Sequence, residues 1–260
     1  MSTFSNVHLA LQALLTHQQA LSIAEDNVAN AATPGYYRQE AILRAGAVQG
    51  AAGLQGAIYG GMIGTGVLMV GVKRYALEFS DLRYRSELAE TKRYQLASQY
   101  LQQVEGAMAD LGDAGISAKL DAFFASLNSI SSNPSDLTMR ADLLEQAKSL
   151  ASAFNSRIEN LLTIQNDMNL AIIQRVEEIN TISTQIARLN AEIGRFTGSG
   201  TQANDFMDER DLLLDRLSEL SGAKITYDAN GMAMVSVGGH VLVHGITAYK
   251  VITEPEPTNF

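Results

Sequence analysis

The 260-residue sequence has no cysteine, no tryptophan and only four prolines. Without cysteine there is no disulfide, no thiolate nucleophile and no cysteine-ligated metal, although the absence identifies no compartment. Basic residues are also scarce: 19 Lys and Arg stand against 28 Asp and Glu, a formal net charge of −9. They are scattered along the chain, so there is no electrostatic footprint for nucleic acid or for an anionic membrane. No apolar run reaches the roughly 18 residues of a membrane span. The N-terminus, "MSTFSNVHLALQALLTHQQA", lacks a basic n-region and a clear small-residue cleavage site. The chain therefore reads as soluble, and its export would not use a cleaved secretory peptide.

What the chain does have is helical periodicity. Its 46% apolar content is enough for a core, in one large domain or two ordinary ones. In residues 4 to 31, Val7, Leu14, Leu21 and Val28 recur every seven residues, with Phe4 and Leu11 on a companion seam that turns polar at Gln18 and Glu25. Such a stripe suits a helix packed along one narrow line, on a partner or on its own domain. The helix stops at "NVANAATPGYYRQ": Thr33 before Pro34 is pushed away from helical backbone, and Gly35 can take φ > 0. Asn27, Asn30, Thr33, Pro34, Gly35 and Tyr36 are thus read as a fixed structural turn.

Residues 45 to 71 hold nine glycines. They do not complete the strand–GxGxxG–helix unit of a dinucleotide site, and read instead as an extended connector or hairpin that becomes a strand near "GVLMVGVKR". Helical pattern returns from Glu78 to Leu111, followed by a short helix "SAKLDAFFASLNSI". "SSNPSD" breaks the chain there, with Ser135 or Asp136 as the next cap. From Ser135 to Ile193 there is neither glycine nor proline. One seam runs Leu144, Ala151, Ile158, Gln165, Ile172, Ile179, Ile186, Ile193, and the other Ala147, Phe154, Leu161, Met168, Arg175, Ile182, Leu189. These heptads predict one rod-like helix, or two nearly in line, about 85 Å long at 1.5 Å per residue. It should pack antiparallel to the 75–111 helix. After "DFMDERDLLLDRLSEL" the period falls to two, and Asn230-Gly231 signals a hairpin. The last residues read as a β-domain cut short or left open.

Chemistry is sparse. His8 and His17 lie off the apolar seam of the first helix. His240 and His244 share a strand face with no carboxylate or third histidine nearby in sequence, so they are read as solvated or half-buried side chains. Asp205, Asp208, Glu209, Asp211 and Asp215 lack a calcium-loop frame, and capping with pairing to the interleaved Arg210 and Arg216 accounts for them. No catalytic residues, cofactor or metal site are assigned.

With these pieces placed, the chain resembles the flagellar rod and hook axial proteins, through Asn-x-x-Asn-x-x-Thr-Pro-Gly-Tyr at residues 27–36. Within that superfamily it is most similar to the hook-associated protein 1 family of hook–filament junction proteins. The similarity lies in "GTGVLMVGVKRYALEFSDLRYRSE", in "SAKLDAFFASLNSISSNPSDLTMR" and in "DERDLLLDRLSEL" before an Asn-Gly hairpin. Two positions depart from the pattern: Ala32 replaces the usual Asn, and Tyr37 a common Ser. Both are expected to loosen local hydrogen bonding without altering the turn.

The resemblance implies a mainly α structural protein of the bacterial flagellum, secreted through the type III channel. It implies an axial helix with its turn (1–40), a glycine-rich connector (41–74), an elongated helical domain (75–222) and an incomplete β-rich domain (223–260). The implied partners are the flagellar hook protein, the second hook–filament junction protein, further copies of the chain, and the flagellar export apparatus. The seam Phe4, Val7, Leu11, Leu14, Leu21 and Val28 would be the assembly interface, its partner a C-terminal heptad helix missing from this chain. A rod or hook protein would share only the first 40 residues. A cytoplasmic coiled-coil adaptor would not need the turn.

Overall fold

A computed structural model describes residues 3–46, 66–110, 112, 115–199 and 202–255. The chain is mainly α, with five helices and six strands among the described residues. In order these are α1 (Thr3–Ala29), β1 (Gln39–Ala45), β2 (Val67–Arg74), α2 (Glu78–Met108), α3 (Ile116–Ser132), α4 (Leu137–Gly198), α5 (Asn204–Ser221), β3 (Lys224–Tyr227), β4 (Ala233–Val237), β5 (His240–His244) and β6 (Thr247–Ala248). Most of the glycine-rich connector, residues 47–65, lies outside the described residues, as do 256–260. No described helix is long and apolar enough to cross a membrane.

The chain divides into two compact units, residues 1–89 with 179–251, and residues 90–178 with 252–260. The first unit holds the apolar core. Ile182, Ile186 and Ala187 of α4 meet Leu214 and Leu217 of α5 and Ile225, Ala233, Val235, Leu242 and Val243 of the sheet. That sheet is antiparallel in the order β3-β4-β5-β6. Two helices and one sheet face thus close a small two-layer core. The Asn-Gly hairpin signal is realised between β3 and β4, where Gly231 takes φ +74° and Asp228 accepts from the backbone N–H groups of Asn230 and Met232. Along β5 strict alternation fails. Leu242 and Val243 are both buried because a bulge at Val235/Ser236 shifts the β4–β5 register, while His240 and His244 stay exposed. The first unit also contains an antiparallel β1–β2 ribbon lying along α1.

In the second unit α2 and α4 run antiparallel. Arg157 of α4 donates to the carbonyls of Ala107 and Ala109 at the end of α2, while Arg93 and Arg175 share one groove at the other end. Asp136 caps α4, accepting from the N–H of Thr138 at 2.8 Å, and Asp110 does the same for α3 through Ser117. The predicted rod is one continuous helix. Its heptad seams are not uniformly covered, however. Among the described residues the second unit holds no buried apolar side chain, and Leu144, Ile158 and Ile172 are each more than half exposed.

Candidate functional site: the turn at the end of the first helix

At the end of α1 the side chains build what the backbone alone cannot. Thr33–Tyr36 is a turn closed by the Tyr36 N–H on the Thr33 carbonyl at 3.2 Å. Pro34 occupies its second position, and Gly35 its third with φ +80°, which makes it a type II turn. A side chain at Gly35 would be strained by that φ, and its Cβ would lie 3.3 Å from Leu212 Cβ. Asn30 donates to the Asp26 carboxylate at 2.9 Å and accepts from the Thr33 hydroxyl at 3.2 Å. The chain cannot continue as helix past Asn30, whose carbonyl accepts the Thr33 N–H at 2.9 Å, while the Val28 carbonyl accepts the Ala31 N–H at 3.4 Å.

Asn27 holds the chain that leaves the turn. Its Nδ2 donates to the Gln39 carbonyl at 2.7 Å, and its Oδ1 accepts the Gln39 N–H at 2.8 Å. One carboxamide therefore imitates a paired strand residue and seeds β1. The Tyr36 hydroxyl lies 3.0 Å from the same Oδ1 and 3.1 Å from Asp26 Oδ2, sharing its proton between them. Burial pushes this hydroxyl up to about 12, and the hydrogen bond to Asp26 adds to the shift.

The structure brings the six turn residues together and leaves the predicted seam apart from them. Val7, Leu11, Leu14, Leu21 and Val28 are 50–78% exposed, and the side chain of Phe4 lies outside the described residues. The α1 face against the ribbon is a different one, running Leu9, Ala13, Thr16, Ala20, Ile23 and Asn27. On it Thr16 is buried and donates to the Val67 carbonyl at 3.1 Å.

The acidic cluster proves to be part of this site, and its expected partners need correcting. Arg74, the last residue of β2, pairs with Asp208 and with Asp211 at 2.6 Å. Arg85 of α2 pairs with Asp211 at 3.2 Å and Asp215 at 2.6 Å. The interleaved Arg210 instead donates to Asn190 Oδ1 and the Gly231 carbonyl, and Arg216 pairs with Glu219. The helix period explains the exchange. Arg210 lies on the core side of α5, while Asp208, Asp211 and Asp215, at i, i+3 and i+7, share the line that faces β2 and α2.

Tyr37, expected to loosen the turn, anchors it. Its N–H donates to Asp208 Oδ2 at 3.1 Å, and its ring lies 4.0 Å from the Arg74 guanidinium. Burial pushes the Asp208 and Asp215 carboxyls up, whereas the carboxylates hold Arg74 and Arg85 above their ordinary values despite burial. The arginines decide the state of the network, because a guanidinium stays charged and favours an ionised carboxylate opposite it. Among the described residues no three His, Asp, Glu or Cys side chains gather to hold a metal. The arrangement is a turn, a carboxamide clamp and a set of ion pairs.

The model of the flagellar hook-associated protein FlgK helical domain matches residues 101–260, more than half of the chain. The chain belongs to the FlgK family. It is 32% identical over 243 residues to flagellar hook-associated protein 1 of Bacillus subtilis (strain 168), covering 93% of this chain and 48% of that protein. It is 31% identical over 255 residues to the protein of the same name from Salmonella typhimurium, covering 96% and 44%. Among solved structures it is similar to the flagellar hook junction protein FlgK from Burkholderia pseudomallei. The TM-score is 0.55 at 25% identity, over 66% of this chain and 30% of that one. The chain spans about half the length of the curated relatives it matches. Sequence reasoning located the turn from its punctuation, but missed Asp26, Gln39, Arg74 and Arg85. Only the last two carried a signal, a cation in a chain poor in them.

Proposed function

We propose that the chain is part of a structural protein of the bacterial flagellum that joins hook to filament, with no enzymatic role. The observation that carries this reading is the clamped turn between α1, whose apolar seam is exposed, and a folded helical body. A helix with an unburied seam gains its stability from packing, and a joint that fixes its exit presents it to neighbouring subunits in one orientation. The names of its FlgK relatives support placing it at the hook. In this reading the seam Phe4–Val28 is the assembly interface, and the six turn residues are the joint. The hook protein, the second junction protein and further copies of the chain are the neighbours. Delivery is through the flagellar type III export apparatus to the cell exterior.

Deleting the encoding gene in the source bacterium tests the reading by electron microscopy. Completed hooks bearing no filaments are expected. Cells that lack hooks altogether would place the chain among rod or hook proteins, and unaltered filaments would remove it from the axial structure.

A further inference from the structure

We propose that Arg74, Asp208 and Asp211 form an electrostatic latch, separable from the core, that fixes the turn and the β1–β2 ribbon against α5. Among the described residues, the apolar core and the side chains packed on it come from α2, α4, α5 and β3–β6, with the chain at Ala223 and Val251 flanking the sheet, and none precedes α2. Besides the close approach of Gly35 to Leu212, the ribbon and turn are held to the body by polar groups. Arg74 reaches Asp208 with Nε and Asp211 with a terminal nitrogen, the Tyr37 N–H caps Asp208 Oδ2, and Asn204 donates to Gln39 Oε1 at 2.9 Å. The three charged side chains of the latch are 7–11% exposed. Shielded ion pairs are poor sources of net stability, but their fixed geometry favours one orientation.

The two halves of the latch are each preset. On the body side Asp211 Oδ1 is also held by Arg85 at 3.2 Å and by the Tyr227 hydroxyl at 3.2 Å, and Arg85 is tied in turn to Asp215. On the ribbon side Arg74 lies over the Tyr37 ring. When the latch opens, Asp211 keeps two partners, Arg74 keeps its aromatic cover, and Asp208 meets water. The body can stay folded while the ribbon and α1 change direction as one piece.

The chain has no native cysteine, so Val70→Cys on β2 with Val241→Cys on β5 gives two unique spin-label sites, both exposed. Pulsed electron–electron resonance on the 260-residue chain should give one narrow distance distribution. Arg74→Leu should at least double its width and speed Tyr37 amide exchange at least tenfold, with the cooperative thermal unfolding of the body retained. An unchanged narrow distribution overturns the latch. Loss of cooperative unfolding in Arg74→Leu overturns it equally, since the pair would then belong to the core. Asp208→Ala, which removes the acceptor of the Tyr37 N–H and leaves the Arg74–Asp211 pair, should speed Tyr37 exchange while the distribution stays narrow; an unaltered Tyr37 rate overturns the role of Asp208.

Discussion

Three asparagine carboxamides each pair with both backbone groups of one extended residue: Asn27 with Gln39, Asn180 with Val251, and Asn190 with Ala233. Each helix that carries one gains a strand-like contact without being a strand. Asn190 is the most enclosed, fully buried, and it also donates to the Gly245 carbonyl at 2.7 Å and accepts from Arg210 at 3.0 Å. Asn190→Ala leaves several buried polar groups unpaired at about 1–3 kcal/mol each, so a total loss of about 3–5 kcal/mol is expected. Urea unfolding should register it as a lower midpoint with an unchanged slope. At Tyr36 the test is alkaline. Its folded hydroxyl is raised to about 12 from an ordinary 10, so its stabilising contribution is complete below pH 10 and lost as pH rises through about 12. The difference in unfolding midpoint between the parent chain and Tyr36→Phe should be flat below pH 10 and shrink above it. A difference independent of pH up to 12 would mean the hydroxyl is not held by Asp26.

Among the elements, periodicity made α1, α2, α4 and α5 legible, and glycine with proline marked where they end. What periodicity does not encode is coverage. The α4 heptads look alike from Leu144 to Ile193, yet Ile182, Ile186, Leu189 and Ile193 are buried while Ile158 and Ile172 are more than half exposed. Burial depends on which element lies opposite, and that is set by contacts from β3–β5, far along the chain. The same limit hid Arg74 and Arg85, whose carboxylate partners lie 126 to 137 positions away. A contrast along one helix follows. Ile186→Ala removes a fully buried side chain and should cost about 2–5 kcal/mol, whereas Ile158→Ala should stay within about 0.5 kcal/mol. Equal losses at the two positions in chemical unfolding would show that the exposed stretch of α4 is covered in solution.

For the molecule as a whole, the open question is what the first helix does before it meets anything. Its ribbon-facing side, apolar apart from Thr16 and Asn27, is hydrogen-bonded at two points, Thr16 on Val67 and Asn27 on Gln39, while Val7, Leu11, Leu14, Leu21 and Val28 face outward. Two hydrogen bonds and a few half-buried side chains orient a helix but replace little of the stability that burying its main apolar stripe would contribute. Local opening should therefore be far less costly in α1 than in the core stretch of α4, where Ile186 and Ile193 are fully buried. In a dilute monomer verified by light scattering, the α1 amides should exchange at least a hundredfold faster than those of residues 182–193. Asn27→Ala should quicken the end of α1 further, because it releases both bonds to Gln39. Raising the concentration should slow exchange at Leu14 and Leu21 before it slows at Thr16, since association covers the outward seam and leaves the fastened face as it was. Slow exchange at Leu14 and Leu21 in the dilute monomer would sink this account, because the seam would then be buried within the chain itself.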